Sequence, residues 1–136
     1  MIRLTRPRLR LDGLAGGHPL WLDHGLAVPV SLLAVAHEVA TEHGPLAITR
    51  PGRLTWAGAP MPLGKNFGRT FRDVVLADEA DGLAWQGKAV MLDPDLAGAS
   101  LAGTVGHELA HCRGVVDELE AERVGGLLAR YAERRR

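Results

Sequence analysis

The sequence predicts one small α+β domain, with a helix in its N-terminal half, a group of short strands and two helices at its C-terminal end. Three observations predict this order. Apolar residues recur at helical spacing within residues 31–43 and again within 119–131. Short β-prone runs, punctuated by Pro-Gly, Gln-Gly and Asp-Pro pairs, occur on both sides of a Gly- and Pro-rich segment within residues 46–94. We therefore expect a short, mostly antiparallel sheet within a single domain that spans residues 1–136.

The composition limits the classes of function. Hydrophobic residues make up 46% of the 136-residue chain and aromatic residues only 4%, so its core must be built from Leu, Val and Ala. The net charge is zero, which gives no reason to expect nucleic acid or an anionic membrane as a partner. A single cysteine excludes an internal disulfide, and we find no signal peptide or membrane-length apolar segment. We expect a soluble, cytoplasmic protein.

The N-terminal part of the chain predicts one strand and one helix. Residues 8–12 alternate polar and apolar side chains, which predicts a short edge strand. The helix is expected to begin at Ser31, whose hydroxyl can cap its first turn, and to end before Gly44. His18 and His24 fall in predicted loops, where a lone histidine is usually a solvated surface residue.

Two hairpins are predicted after this helix. Residues 46–49 and 53–56 are β-prone and are separated by a Pro-Gly pair that suits the centre of a type II turn. Residues 83–85 and 88–92 flank a Gln-Gly turn in the same way. A further strand is predicted at residues 73–77.

The segment between residues 58 and 68 is rich in Gly and Pro and is predicted to be a loop. Lys65, Arg69 and Arg72 make this region locally basic. We expect it to be a solvated loop rather than a substrate-binding one.

The sequence His-Glu-Leu-Ala-His, which begins at residue 107, is an HExxH pattern. In a helix, His107 and His111 lie one turn apart on the same face, where two imidazoles can bind one zinc ion (Zn²⁺). Glu108 can then act as the general base on a zinc-activated water. The surrounding residues predict a helix over about 100–113 that ends at Gly114, because glycine tolerates the conformation of a C-cap.

A last helix is predicted from Glu118 to Ala132. Asp117 fits its N-cap, and Glu120 follows three residues later, as in a capping box. The apolar residues of this helix predict one buried face, formed by Leu119, Val124, Leu127, Leu128 and Tyr131.

Catalytic zinc usually has three protein ligands, and two acidic residues compete for the third place. One is Glu118. The segment Glu-Leu-Glu-Ala-Glu that begins there resembles the second-helix motif of gluzincin metallopeptidases, whose first glutamate is a zinc ligand. In that motif an acid or amide four residues later orients a ligand histidine, and the resemblance assigns this role to Glu122. The lead-in at residues 89–94 also looks like that of ImmA/IrrE-type peptidases.

The other candidate is Asp117. The extended pattern HExxHxxGxxD is similar to the metzincin signature in the form that has aspartate third, but no methionine follows Met91 to form a Met-turn. Either ligand requires the chain to reverse near Gly114, because a continuous helix would place Glu118 about 10 Å further along its axis. We favour Glu118, since capping already explains Asp117.

The resemblance to zincins covers roughly residues 88–128. It implies a zinc metallopeptidase, a hydrolase that cleaves a peptide or protein substrate without a covalent intermediate. The strand at residues 88–92 resembles the zincin edge strand, which binds the substrate backbone. Three residues are candidates for stabilising the oxyanion: Arg113, His43 and Tyr131. Cys112 is expected to be a small buried thiol rather than a ligand.

Three alternatives remain open. The HExxH pattern could be accidental, in an ordinary structural helix. The chain could be a zincin-like regulatory or binding module with little turnover, for which a groove closed over the zinc would be evidence. It could also be a metal-dependent endoribonuclease, since bacterial rRNA-maturation endoribonucleases carry a related HxxxHxxGxxH-like helix. Glu108 and Asp117 depart from that pattern, and a neutral net charge does not favour nucleic acid.

Overall fold

The computed structural model describes residues 2–4, 10–11, 20–23, 26–62, 68–78, 83–96 and 98–134. The predicted α+β class is confirmed. In chain order, the elements of the described residues are β1 (Ile2–Leu4), β2 (Arg10–Leu11), β3 (Leu20–Leu22), α1 (Val30–His43), β4 (Leu46–Thr49), β5 (Leu54–Trp56), β6 (Ala59–Pro60), β7 (Gly68–Asp78), β8 (Leu83–Leu92), α2 (Gly98–Cys112) and α3 (Glu118–Arg134).

The strands of the described residues form one mixed sheet in the order β2-β3-β4-β8-β7-β1-β5-β6. Three of its junctions are parallel, namely β3 with β4, β4 with β8, and β1 with β7. The other four are antiparallel. Antiparallel pairs therefore outnumber parallel pairs, as predicted, but only by four to three. The strand expected at residues 8–12 is found at Arg10–Leu11, and it lies at the edge of the described sheet.

The hairpin predicted at residues 46–56 is wrong. β4 pairs in parallel with β3 and β8, whereas β5 pairs with β1 and β6 on the other side of the sheet. The turn itself is present, because Gly52 has a φ of +93°. Helix α1 connects β3 to β4, as the crossover between parallel neighbours requires, and tertiary pairing therefore overrides the local hairpin signal.

The hairpin predicted at residues 83–92 is also wrong, because β8 is one continuous strand that pairs antiparallel with β7. Gly87 does not form a turn. A Cβ on this residue would lie 2.2 Å from the carbonyl oxygen of Pro45, so glycine is needed where the start of β4 approaches β8. The strand expected at residues 73–77 is part of β7, which extends back to Gly68.

Both faces of the sheet carry buried apolar side chains, because successive residues of the central strands point to opposite faces. On β4 and β8, Leu46, Ile48, Val90 and Leu92 pack with α1 and α2 in one cluster. The alternate residues join the second cluster on the opposite face, which contains Leu4, Trp21, Ala47, Leu54, Phe71, Val74, Leu76, Ala89 and Met91. Helix α2, which carries the HExxH pattern, is thus fixed on the sheet by its apolar side.

The helices differ from expectation at two points. Helix α1 begins one residue early, with Pro29 at the N-cap and no side-chain cap, so the capping role predicted for Ser31 is wrong. On α3, Leu119 and Leu127 are exposed, so the predicted apolar face does not pack as a whole. Among the side chains of α3 that the structure describes, Ala121 and Gly125 are the buried ones, and Leu128 and Tyr131 lie outside that set. No helix within the described ranges is both long and apolar enough to cross a membrane.

Candidate metal centre

The two histidines of the HExxH pattern lie side by side on the last turns of α2. The Nε2 atoms of His107 and His111 are 3.0 Å apart, and their rings meet edge to face. Both rings are partly buried. As helical geometry predicts, the spacing of four residues places both imidazoles on one face of α2 and brings one nitrogen of each ring together.

The chain reverses directly after α2. The N–H of Gly114 donates to the His111 carbonyl and the N–H of Val115 to the Ala110 carbonyl, which is the hydrogen-bond pattern of a Schellman C-cap. Gly114 takes the left-handed conformation that this cap requires, with a φ of +99°. The break expected near Gly114 is therefore present, and α3 runs back along α2.

This reversal brings the Glu118 carboxylate to the two histidines. One carboxylate oxygen lies 3.1 Å from His107 Nε2 and the other 2.9 Å from His111 Nε2. Asp117 is occupied differently, because its Oδ1 accepts a 3.0 Å hydrogen bond from the backbone N–H of Glu120 and caps α3. The predicted capping role of Asp117 is confirmed, and Glu118 is the acidic residue that joins the histidines.

The donor atoms of this cluster suit a zinc ion. Zinc bound tetrahedrally at about 2.0–2.1 Å keeps neighbouring ligand atoms roughly 3.3 Å apart. The three contacts among His107, His111 and Glu118 span 2.9–3.1 Å, within a few tenths of an ångström of that value. Two imidazoles and one carboxylate are also a common donor set of catalytic zinc, which leaves a fourth position for water or substrate.

A backbone carbonyl sets the orientation of the His111 ring. Nδ1 of His111 lies 2.7 Å from the carbonyl oxygen of Val115 and donates its hydrogen to it. In a neutral imidazole this leaves the Nε2 lone pair free to bind a cation. The turn that follows α2 therefore positions Glu118 and also determines which ring nitrogen of His111 carries the hydrogen.

Glu108 projects from α2 toward β7 and is buried. Thr70 on β7 donates a short hydrogen bond from Oγ1 to Glu108 Oε2. Gly68 allows this close approach, since a Cβ there would lie 2.8 Å from Thr104 Cγ2 and 3.2 Å from Glu108 Cγ. Strand β7 therefore fixes one oxygen of the Glu108 carboxylate.

His107, His111, Glu118 and Glu108 line the same cleft, which has a volume of about 1240 Å³. Residues of α2, of the first part of β7 and of the first part of α3 line it. Among the described strands, β1 pairs with β7 only at Val74–Leu76. The side of Gly68–Phe71 that faces away from β8 thus has no described strand partner, and Gly68, Arg69 and Thr70 line the cleft.

Several residues predicted from the sequence lie elsewhere. The strand at residues 88–92 is wrong as an edge strand, because β8 has β4 on one side and β7 on the other. Arg113 faces Glu38 and His43 pairs with Glu42, so neither lines the cleft. The side chain of Tyr131 is outside the described part of the structure, as are His18, His24 and Lys65.

Glu122, on α3, lines the cleft and is exposed. In the described structure it forms no hydrogen bond with either histidine. No contact therefore supports the role of orienting a histidine that the gluzincin resemblance implies. The Val115 carbonyl takes that place for His111.

The prediction of a buried thiol at Cys112 is confirmed. Burial raises the pKa of this thiol to about 12, which makes it a poor nucleophile and a poor ligand. Lys88 donates from Nζ to the Cys112 carbonyl at 2.9 Å and so caps the last turn of α2.

The sequence did not predict three features of the site: Thr70, the Val115 carbonyl and the side of Gly68–Phe71 that has no strand partner among the described residues. Thr70 lies 38 residues before Glu108 in the chain. No local pattern marks such a partner, because the contact depends on how β7 and α2 pack. No family model, curated protein or solved structure matches this chain.

Proposed function

We propose that this protein is a zinc-dependent peptidase. The observation that carries the proposal is the convergence of His107, His111 and Glu118, with atoms 2.9–3.1 Å apart, in a cleft that also contains the Glu108 carboxylate. Nothing in the geometry requires Glu108 to be a ligand, so it is available for proton transfer.

The ligand set would be the Nε2 atoms of His107 and His111 and the carboxylate of Glu118. When bound, zinc supplies a Lewis acid that polarises a carbonyl group and lowers the pKa of water. Glu108 accepts the proton of the attacking water and passes it to the leaving amine nitrogen as the C–N bond breaks and the new C–O bond forms. Thr70 keeps Oε2 of Glu108 in one position, which leaves Oε1 to exchange the proton.

The side of β7 at Gly68–Phe71, which has no strand partner among the described residues, is suited to bind the substrate main chain. Backbone N–H and C=O groups of Gly68–Phe71 can pair with an extended peptide, which would then lie in the cleft beside α2. This assigns to β7 the role that the sequence analysis gave to residues 88–92. Main-chain hydrogen bonds do not depend on the side chains of the peptide, so a site of this kind accepts peptides of many sequences.

The cleft is open to solvent, whereas a regulatory module that only binds would have a groove closed over the zinc. The open cleft therefore favours an enzyme with turnover. Four acidic residues, Asp95, Glu108, Glu118 and Glu122, line the cleft together with two arginines, Arg69 and Arg72, and this acidic excess disfavours the phosphates of an RNA strand. Both features support a peptide substrate.

The test begins with the zinc content of the purified wild type and of His111→Ala, Glu118→Ala and Asp117→Asn. We expect about one zinc per chain in the wild type and in Asp117→Asn, and a large loss in the other two. Asp117→Asn is the matched control, because it removes the neighbouring acid and retains a capping residue. Loss in Asp117→Asn with retention in Glu118→Ala would transfer the third ligand to Asp117.

The second step measures hydrolysis of a mixture of quenched fluorescent peptides by the zinc-loaded wild type and by Glu108→Gln. We expect cleavage by the wild type and a loss of at least about a hundredfold in Glu108→Gln, with zinc retained. Zinc without cleavage would identify a binding module. A wild type that takes up no zinc would mean that His107, His111 and Glu118 form only a hydrogen-bonded ion pair, and the proposal would be wrong.

A further inference from the structure

Glu122 lies beside the group formed by His107, His111 and Glu118 but does not belong to it. Helix α3 meets His107 at two points. The Glu118 carboxylate is 3.1 Å from the His107 Nε2 atom, and a Cβ on Gly125 would be 2.6 Å from the His107 backbone nitrogen. Glu122 lies between these two points along α3 and lines the same cleft. Its carboxylate is therefore next to the space in which a substrate would bind.

The Glu122 carboxylate does not stabilise the fold through a polar contact. It is exposed, and it forms neither an ion pair nor a side-chain hydrogen bond with any residue that the structure describes. Its neighbour Glu120 differs, because it pairs with Arg123 three residues later. A helical carboxylate can pair with a cation three or four positions away. At those positions Glu122 has only uncharged or acidic residues: Glu118, Leu119, Gly125 and Gly126.

Glu122 also opposes the stability of its own helix. It follows Glu118 by four residues, and like charges at this spacing destabilise a helix because they lie on the same face. A neutral residue at position 122 would remove this repulsion. Local rules of stability are broken mainly at functional sites, so an unfavourable carboxylate that lines a cleft indicates a role in binding.

The cleft has free space next to Glu122. Gly126 follows one turn later on the same side of α3, and Gly103 belongs to the part of α2 that meets Gly125. Both Gly126 and Gly103 line the cleft, and a Cβ on either of them would meet nothing within 4 Å. A substrate group can therefore approach the Glu122 carboxylate without displacing a side chain at these two positions.

We propose that Glu122 determines specificity by binding a cationic group of the peptide substrate, either an ammonium or a guanidinium. The inference rests on the proposed peptidase function and specifies its substrate class. Cβ atoms four residues apart on a helix are about 5–6 Å apart. That separation equals roughly two residues of an extended peptide, so the cation belongs within about two residues of the cleaved bond. It is either a Lys or Arg side chain or the free amino group of the substrate N-terminus.

The test uses the full-length, zinc-loaded Glu108→Gln variant, which binds peptides without cutting them, and fluorescence anisotropy as the readout. The probes are short peptides of alanine and glycine, labelled near an amidated C-terminus and acetylated at the N-terminus. One Lys is placed at each position in turn. Matched peptides carry Gln or Glu instead of Lys, and a further Gln peptide has a free N-terminal amino group.

We expect at least one Lys peptide to bind about tenfold more tightly than its Gln counterpart, which corresponds to about 1.4 kcal/mol. The preference should weaken as salt is added, since Glu122 is exposed. Glu122→Gln should abolish it, and Glu122→Lys should transfer the preference to the Glu peptide. Glu120→Gln is the matched control, because Glu120 is an exposed glutamate of the same helix that does not line the cleft.

Tighter binding of only the peptide with a free amino group would support the proposal and identify the N-terminus as the source of the cation. Equal binding of the Lys and Gln peptides, or a preference that survives in Glu122→Gln, would overturn it. A preference that is lost equally in Glu120→Gln would also overturn it, because the overall charge of α3 would then be responsible.

Melting temperatures without zinc test the stability argument on the same proteins. Glu122→Gln should melt at the same temperature as its parent or higher, since it removes the repulsion from Glu118. A lower melting temperature together with an unchanged Lys preference would give Glu122 a structural role instead. If Glu122→Gln does not fold, Glu122→Ala is the second variant.

The zinc measurement separates the two proposals. A wild type with zinc and peptidase activity but without the Lys or amino-group preference refutes the role of Glu122 alone. A preference that depends on Glu122 in a protein that takes up no zinc refutes the peptidase and leaves a cation-binding cleft.

Discussion

The backbone of Gly125 on α3 lies directly against the backbone of His107 on α2, and a Cβ on Gly125 would be only 2.6 Å from the His107 nitrogen. It would also lie 3.0 Å from the Gly103 carbonyl oxygen. This contact determines how closely the two helices approach, and therefore where Glu118 meets the histidines.

Gly125→Ala should force α3 away from α2, because backbone atoms cannot yield as side chains do. We expect a loss of about 1–3 kcal/mol in the free energy of unfolding, measured with urea, and weaker zinc binding. Gly126→Ala is the matched control: a Cβ there has nothing within 4 Å, so it should be neutral or stabilise by up to about 1 kcal/mol. Equal stability of the two variants would show that the helices are not held at this distance.

Gly114→Ala should destabilise the protein by about 1–2 kcal/mol, since alanine is strained at a φ of +99°. Because this turn positions both the Val115 carbonyl and Glu118, the zinc dissociation constant should rise as well. Gly103→Ala on α2 is the control, as its Cβ would meet nothing within 4 Å. Unchanged zinc affinity in Gly114→Ala would mean that α3 reaches the histidines without the left-handed turn.

Thr70→Val should lower kcat/KM for any peptide that the protein cleaves, by about tenfold or more, because Glu108 loses the donor that positions Oε2. A buried carboxylate without its donor should also reduce stability by about 1–3 kcal/mol. Thr70→Ser should restore activity, since it keeps the hydroxyl. Thr55→Val on β5 is the control in a strand remote from α2. Full activity in Thr70→Val would remove Thr70 from the mechanism.

Asp117→Ala should reduce stability by about 1 kcal/mol, because the first turn of α3 loses its N-cap. Its zinc content should match that of the wild type. Thermal unfolding and metal analysis of the same preparation test both statements. A variant that loses zinc but keeps its stability would make Asp117 a ligand and not a cap.

The thiol of Cys112 should be unreactive toward a thiol reagent in the folded protein at about pH 8 and react fully after denaturation. The pKa of about 12 in the folded protein, against 9.0 for the free thiol, has a second consequence. Above pH 9 the unfolded chain releases the thiol proton while the folded chain retains it, so this group lowers stability as pH rises from 9 toward 12. Equal labelling rates before and after denaturation would contradict the burial.

Much of the site could be predicted from the sequence because its signals are local. Helical periodicity places His107 and His111 on one face of α2 whatever surrounds them, and their Nε2 atoms do meet. The glycine at position 114 and the capping aspartate at 117 also act within a few residues of themselves. The reversal between α2 and α3 follows from these positions.

The sheet could not be predicted in the same way, because strand pairing depends on partners far apart in the chain. Local turn signals favoured two hairpins, yet β4 pairs with β3 and β8, and Gly87 lies inside β8, against Pro45. Similarly, the apolar pattern of α3 indicated a face with Leu119 and Leu127, but small residues allowed closer packing on α2.

By itself, therefore, the sequence determined the α+β class, the two histidines, the turn at Gly114 and the cap at Asp117, since each depends on the backbone preferences of neighbouring residues. Only the tertiary structure decided that the Glu118 carboxylate joins the histidines, that Thr70 binds Glu108 and that Arg69 and Arg72 line the cleft. Those contacts arise where β7 and α3 pack against α2, and packing between distant segments leaves no periodic trace in the sequence.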